Sequence, residues 1–212
     1  MNIEFFGIPG AGKSFYCNKI NEKKQYKDIM CFYKENFYGK VLFHLFIYFG
    51  MIIPKFNKIY IFLKDILGKD LNNTNVISNT KNMTIYLKYI IFIYFIEKNR
   101  TNIIIDEGIV HFCMVLYAEY NVSKEKCIQI LEYFDSQKYK DKRKVYGIEC
   151  NITTSLERLK KRNRKRAPMD FLEDKRLEEL LNKYNEFMKD IENRYEVLNE
   201  EELQKMGRNV CL

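Results

Sequence analysis

Short apolar runs alternate with amphipathic stretches along most of the chain. The apolar runs predict strands, and helices are predicted where apolar residues recur every three or four positions. The predicted strands cover residues 2–6, 28–33, 102–105, 144–150 and 194–198. The predicted helices cover residues 13–24, 83–96, 109–120 and 124–137, followed by a long late helix and a short terminal one. This alternation predicts an α/β fold with a five-stranded, parallel, doubly wound sheet flanked by helices.

The long late helix is predicted from a stripe of apolar residues that would face the core. The stripe consists of Leu177, Leu180, Leu181, Tyr184, Phe187, Met188 and Ile191. Two other helix starts carry capping signals, with Ser123 as one predicted N-cap and Thr154 with Glu157 as a capping box at the other.

Residues 41–53 form the longest apolar run, which Pro54 ends. Its thirteen residues are fewer than the roughly 20 that a membrane-spanning helix needs, so we predict a buried helix and no transmembrane segment. Residues 68–81 are polar and predict a surface loop, and residues 138–144 predict a solvated turn.

The composition is that of one domain, residues 1–212, with 47% hydrophobic residues and only nine glycines and three prolines. The six cysteines show no paired spacing, which argues against a disulfide framework or a zinc site and favours a cytoplasmic protein. The net charge of +8 suits anionic ligands such as nucleotides, although it would also suit nucleic acid or an acidic membrane surface.

The most informative motif is the octapeptide Gly7-Ile8-Pro9-Gly10-Ala11-Gly12-Lys13-Ser14, between a predicted strand and a predicted helix. Glycines allow a chain to curl so that several backbone N–H groups point at one phosphate. Lys13 would reach the β- and γ-phosphates, and the Ser14 hydroxyl would bind Mg²⁺. The residues expected to bind the nucleotide are Gly7, Gly10, Ala11, Gly12, Lys13, Ser14 and Phe15.

A second candidate is Asp106, which directly follows the run of isoleucines at 103–105. Such a continuous apolar run is typical of a parallel strand buried on both faces. A carboxylate at the end of this strand is placed to bind Mg²⁺ or its water. The alternative is an acidic turn that caps the next helix.

The most basic stretch, residues 158–166, follows the predicted fourth strand. Arginines there could stabilise the charge that spreads over a phosphoryl group during transfer, and a mobile segment could exclude water. A solvated helix face or a nucleic-acid patch would be the preferred interpretation without Lys13, but the two features together favour phosphoryl transfer.

At three stretches the chain resembles the deoxynucleoside kinase and thymidylate kinase group of P-loop phosphotransferases. The stretches are residues 7–14, residues 103–106, and residues 155–164 with Met169-Asp170-Phe171-Leu172 after them. The resemblance implies Mg-ATP as donor and an Arg-rich lid over residues 155–170, with Arg158, Arg162 and Arg164 acting on the phosphates. It also implies that the helical region 37–98 lies on the acceptor side.

Two further residues bear on the acceptor. Glu35 stands where the group has a carboxylate that can act as base toward the acceptor hydroxyl, although its position alone supports this role. Glu107 stands where the group commonly has an arginine that contacts the acceptor.

We therefore expect an ATP- and Mg²⁺-dependent kinase for a small-molecule acceptor, either a nucleoside or a nucleotide. A sugar or other metabolite kinase of the same fold is an alternative, as is an NTP-hydrolysing switch or assembly ATPase with a protein or nucleic-acid partner. The Asn-Lys-x-Asp base reader of guanine-specific switches does not occur in residues 145–198. We do not expect nucleic acid as a partner. The sequence does not decide between a monomer and a homodimer.

Overall fold

The computed structural model describes residues 1–21, 27–28, 41, 44–46, 52–78, 83–100, 102–136, 143–162 and 168–209. The strands are β1 (Asn2–Phe6), β2 (Lys27–Asp28), β3 (Ile103–Ile105), β4 (Arg143–Ile148) and β5 (Glu196–Leu198). The helices are α1 (Lys13–Asn21), α2 (Pro54–Leu67), α3 (Met83–Asn99), α4 (Ile109–Tyr120), α5 (Lys124–Asp135), α6 (Ile152–Lys161), α7 (Asp174–Ile191) and α8 (Glu200–Asn209). Two 3₁₀ segments are Gly68–Asn72 and Pro168–Phe171.

All strands pair in parallel in one sheet, in the order β2-β3-β1-β4-β5. Four of them have three residues or more, and β2 adds two residues at one edge. Every residue of β1 is buried because this strand lies between β3 and β4. Parallel neighbours cannot be joined by a tight turn, so the connections between successive strands run through the helices that flank the sheet. The predicted α/β class with a parallel sheet is confirmed.

The helices on the sheet are held by apolar packing. In α4, nine of the twelve residues are buried. The predicted stripe of α7 is confirmed, since all seven of its residues are buried. The aromatic rings of Tyr117 in α4 and Phe187 in α7 stack with centroids 5.3 Å apart. These contacts make α4 and α7 two adjacent walls of one core.

Two predictions in the region 41–81 hold only in part for the residues that the structure describes. Residues 41 and 44–46 are helical as predicted, but Val41 and Leu45 are 40% and 49% exposed, so the predicted burial is wrong for them. Phe46 packs against the core, where its ring lies on Phe56 with centroids 4.6 Å apart. The predicted loop over residues 68–81 lies at the surface for most of its described residues, but it begins with a 3₁₀ segment and buries Asn75, which is 8% exposed and hydrogen-bonds to Glu119.

Arg143 corrects the prediction of a solvated turn over residues 138–144, of which residues 137–142 lie outside the described part. It begins β4 with a side chain only 3% exposed, because it forms an ion pair with Glu4 of β1. Its guanidinium also lies 3.4 Å from Glu97 and 3.7 Å from Asp135. Burying a charge is unfavourable unless it is paired, and the Glu4 carboxylate pairs this one.

The start of α6 is another correction, because the N-cap is Asn151 and not Thr154. The Asn151 side chain accepts a hydrogen bond of 2.7 Å from the backbone N–H of Thr154. Ser123 is the N-cap of α5 as predicted, although its side chain makes no capping bond. Among the described helices, none is long and apolar enough to cross a membrane.

Candidate functional site

The loop between β1 and α1 is held in a tight curl. Gly10 and Gly12 have φ angles of +86° and +98°, which residues with a side chain rarely adopt. At Gly10 a Cβ atom would also lie 2.8 Å from the Ser155 hydroxyl, so this loop and α6 are in close contact. The Ser155 hydroxyl donates a hydrogen bond to the carbonyl of Pro9. Local glycine geometry and packing by α6 together define the loop.

Lys13 lies over this loop. Its ammonium group donates hydrogen bonds to the carbonyls of Gly7 at 2.9 Å and Ile8 at 3.2 Å. Burial lowers the pKa of Lys13, and the neighbouring carboxylates of Asp106 and Glu107 oppose that shift. The Lys13 ammonium group is thus held against the backbone of the loop, near the carboxylates of Asp106 and Glu107.

Ser14 and Asp106 meet because β1 and β3 are neighbours and their carboxyl ends share one edge of the sheet. The Ser14 hydroxyl donates a 2.7 Å hydrogen bond to Oδ2 of Asp106. The other carboxylate oxygen, Oδ1, is buried and accepts no hydrogen bond from the described residues.

Such a hydroxyl and carboxylate are ligands that Mg²⁺ accepts. In the described part of the chain, no group of three or more His, Cys, Asp or Glu residues could hold a metal. A metal here would therefore complete its shell with phosphate and water oxygens, as Mg²⁺ commonly does.

The same edge of the sheet opens into a cavity of about 550 Å³, which we call the larger cavity. One end is formed by the glycine loop with Lys13, Ser14 and Asp106, and Glu107 and Arg162 also face it. The remaining lining comes from other elements and consists of Asn75, Tyr86, His111, Val115, Glu119, Tyr120, Pro168, Met169, Asp170 and Tyr184. The larger cavity thus joins a charged end to a wall rich in aromatic rings.

Rings in the aromatic wall pack against neighbouring aromatic side chains. Tyr86 lies 5.0 Å from Phe112 between ring centroids, and His111 is stacked on Tyr184 at 6.4 Å with an interplanar angle of 16°. Tyr184 is fully buried, and burial raises its pKa well above the ordinary value, as it does for Tyr86. Both tyrosines therefore stay neutral.

A smaller cavity of about 250 Å³ adjoins the glycine loop at Ala11. It is lined by residues of the loop, of α1, of the segments that follow β4 and β5, of α6 and of α8, namely Ala11, Tyr16, Ile148, Glu149, Cys150, Asn151, Thr154, Arg158, Asn199, Glu200 and Leu203. Arg158 donates a 3.3 Å hydrogen bond from Nη1 to the carbonyl of Ala11, which attaches α6 to the loop.

The structure separates residues that the sequence grouped together. Arg158 lines the smaller cavity and Arg162 the larger one, although one turn of helix α6 joins them. Phe15 lines neither cavity and is 63% exposed, with its ring edge against Tyr16. Glu35 and Arg164 lie outside the described residues, so their roles stay predictions. The first part of the predicted lid is packed, since Ser155 and Leu159 are buried.

Sequence reasoning missed the polar residues of the larger cavity, chiefly Asn75, His111 and Glu119. A signal was present in α4, where His111, Val115 and Glu119 are spaced four apart and so share one helix face. His111 and Glu119 are polar residues in an otherwise apolar helix. Asn75 carried no comparable signal because a loop brings it to the cavity.

No protein-family model and no curated protein matches the sequence. Solved structures do match. Deoxyadenosine kinase from M. mycoides with bound dATP has a TM-score of 0.53 and 18% identity over 99% of both chains. The same enzyme with bound dCTP has a TM-score of 0.50 and 20% identity over 99% of this chain and 98% of that one.

The YorR protein from Bacillus subtilis, in complex with phosphorylated GDP, has a TM-score of 0.50 and 12% identity over 99% of this chain and 93% of its own. These likenesses extend over the whole chain rather than the glycine loop alone. The resemblance to the deoxynucleoside kinase group is therefore confirmed for the fold, and the chain has the α/β architecture of the deoxyadenosine kinases.

Proposed function

We propose that the chain is a Mg-ATP-dependent kinase that transfers the γ-phosphoryl group to a hydroxyl of a nucleoside or nucleotide. The observation that carries the proposal is the meeting of Lys13, Ser14 and Asp106 at one end of the larger cavity. The oxygen of the acceptor hydroxyl would bond to the γ-phosphorus as the bond to the β–γ bridging oxygen breaks, which releases ADP and the hydroxyl proton.

The glycine loop supports the donor side of this proposal. Residues 10–14 would bind the α- and β-phosphates through backbone N–H groups, and Lys13 would reach the γ-phosphate. Ser14 and Asp106 would hold Mg²⁺, which supplies positive charge to the phosphates. The smaller cavity adjoins the loop at Ala11. The adenosine part of ATP would lie in this cavity, beside Arg158.

The larger cavity supports the acceptor side. A site for a planar, partly polar molecule needs apolar faces and a few polar groups, and the tyrosines 86, 120 and 184 with His111 supply both. The reacting hydroxyl would point toward Lys13 and Asp106. Arg162 would bind the transferring group, and Arg164 would assist it. Glu35 is proposed as the base toward the hydroxyl.

The test is ATP consumption with a panel of nucleosides, nucleotides and sugars, in the presence of Mg²⁺. We expect consumption to rise strongly with a nucleoside or nucleotide, together with formation of the phosphorylated acceptor. Lys13→Ala should lower the acceptor-dependent rate by roughly 10²- to 10³-fold, since it removes a cation from the transferring phosphate.

Two results would contradict the proposal. Steady hydrolysis of ATP without any effect of acceptor, or stimulation by a protein or nucleic acid alone, would instead indicate a switch or assembly ATPase. If sugars were phosphorylated in preference to nucleosides, the proposed phosphoryl transfer would stand, but the proposed acceptor would be wrong.

A further inference from the structure

Glu119 is a carboxylate on the wall of the larger cavity, in the last turn of α4. Its Oε2 accepts a 2.8 Å hydrogen bond from the side-chain amide of Asn75, and its Oε1 accepts a 2.5 Å hydrogen bond from the hydroxyl of Tyr184. An acidic side chain held by two donors has a defined orientation. It faces a cavity that the proposed phosphoryl transfer leaves unused at this end.

The partners of Glu119 are themselves oriented by the backbone. The carbonyl oxygen of the Asn75 side chain accepts hydrogen bonds from the N–H groups of Ile77 and Ser78 at 2.9 and 3.2 Å. Its amide nitrogen must therefore point toward Glu119. The N–H of Val76 donates to the backbone carbonyl of Glu119 at 2.7 Å, which fastens this loop to the end of α4.

An ionised carboxylate offers about four acceptor positions, and Asn75 and Tyr184 use two of them. Burial raises the pKa of Glu119 above its ordinary value, and the hydrogen bonds from Tyr184 and Asn75 oppose part of that rise because they favour the ionised form. A ligand N–H group could donate a hydrogen bond to one of the remaining acceptor positions of Glu119. A ligand oxygen at the same place would be repelled by the carboxylate, so the site favours a ligand with a donor there over one with an acceptor.

Glu119 also lies far from the reacting groups. Glu119 lies eleven positions after Gly108, and at 1.5 Å per helical residue the two are roughly 16 Å apart along α4. A ligand whose hydroxyl reaches Ser14 and Asp106 would present its opposite end toward Glu119.

We infer that Glu119 is a specificity residue that accepts a hydrogen bond from an amino group of the acceptor, at the end away from the reacting hydroxyl. The inference rests on the proposed kinase function. In a nucleoside this group is the exocyclic amine of cytosine or adenine, where uracil and hypoxanthine have an oxygen. The chain thus prefers cytidine to uridine and adenosine to inosine, in their ribose or deoxyribose forms.

Glu119→Gln tests this inference with little disturbance of the fold. The new amide oxygen can accept from Asn75, and the new amide nitrogen can donate to the Tyr184 oxygen, so both contacts have a counterpart. Wild-type kcat/KM should be at least about tenfold higher for the amino nucleoside of each pair. In Glu119→Gln this ratio should fall roughly 10- to 100-fold, because one charged hydrogen bond is lost.

The control is Glu179→Gln, an exposed position on α7, which should leave the ratio unchanged. Denaturation midpoints of both variants verify that they fold. An equal ratio in wild type and Glu119→Gln overturns the inference, as does a wild type without any preference.

Binding measured by calorimetry without ATP separates this inference from the proposed function. If nothing is phosphorylated but wild type binds cytidine more tightly than uridine and Glu119→Gln does not, the kinase proposal fails and the role of Glu119 stands. Equal binding of the two nucleosides, or binding of neither, overturns the role of Glu119.

Discussion

The hydroxyl of Ser14 lies 2.7 Å from Oδ2 of Asp106, although the two residues are 92 positions apart in the chain. The contact exists because parallel strands β1 and β3 are adjacent. Asp106 directly follows β3, and the glycine loop after β1 brings Ser14, in the first turn of α1, to the same edge of the sheet. Ligands of parallel α/β sheets bind at this carboxyl edge. The geometry therefore places the proposed metal ligands where the proposed phosphates would lie.

Asp106→Asn should weaken the binding of Mg²⁺ while the fold is retained, because asparagine can still accept the Ser14 hydrogen bond but carries no charge. We expect the Mg²⁺ concentration for half-maximal nucleotide binding to rise by roughly tenfold or more, since ligand charge tunes the affinity for hard cations. A Mg²⁺ titration of nucleotide binding, followed by fluorescence, measures this.

Asp65→Asn is the matched control, since Asp65 is exposed on α2 away from both cavities. If the Mg²⁺ titration of Asp106→Asn matched that of wild type, Asp106 would not be a ligand of the metal.

Arg158 and Arg162 should affect different kinetic constants, because they line different cavities. Arg158→Ala removes a group beside the proposed donor site and should raise KM for ATP with kcat little changed. Arg162→Ala removes a cation from the proposed transfer site and should lower kcat by roughly tenfold or more, as expected of an interaction made mainly in the transition state. Steady-state kinetics of the two variants provide the comparison, and equal effects on both constants would contradict the division.

Glu97 should make the stability depend on pH. Burial raises its pKa from the ordinary 4.5 to about 8, with Arg143 opposing and Glu4 adding to the shift. Between pH 4.5 and 8 the unfolded chain has released this proton and the folded chain has kept it. The free energy of unfolding therefore falls as pH rises through this range, in total on the order of a few kcal/mol.

The glutamine of Glu97→Gln cannot ionise, so the free energy of unfolding of this variant should not fall over this pH range. It should equal the wild-type value near pH 5 and exceed it near pH 9. Urea denaturation at several pH values measures the difference. Glu201→Gln, exposed on α8, is the control and should keep the wild-type slope. If the free energies of unfolding of wild type and Glu97→Gln changed with pH in the same way, the Glu97 carboxyl would already be ionised in the folded protein.

Local patterns predicted the parts of the site that local structure builds. The glycine loop depends on the backbone freedom of a few consecutive residues, and the position of Asp106 depends on one strand that ends just before it. Helix α4 was predicted with its observed bounds because its apolar run is continuous. The buried stripe of α7 followed from its spacing alone.

Long-range contacts explain what local patterns missed. Arg143 looked like a solvated charge because its partner Glu4 is 139 positions away. The role of Asn75 depends on Glu119, 44 positions further on, and Tyr184 was recognised as core although it also lines the larger cavity. A pattern reports whether a residue is apolar, but not which distant side chain it meets.

The sequence by itself determined the glycine loop, the parallel α/β class and the acid after β3, because each follows from the conformational preferences of neighbouring residues. Only the tertiary structure decided that Arg158 and Arg162 serve separate cavities and that Glu119 is held by Asn75 and Tyr184. The reason is physical, since the packing of α4, α6 and α7 around the sheet sets which side chains share a space. Burial then determines which of those side chains retain charge.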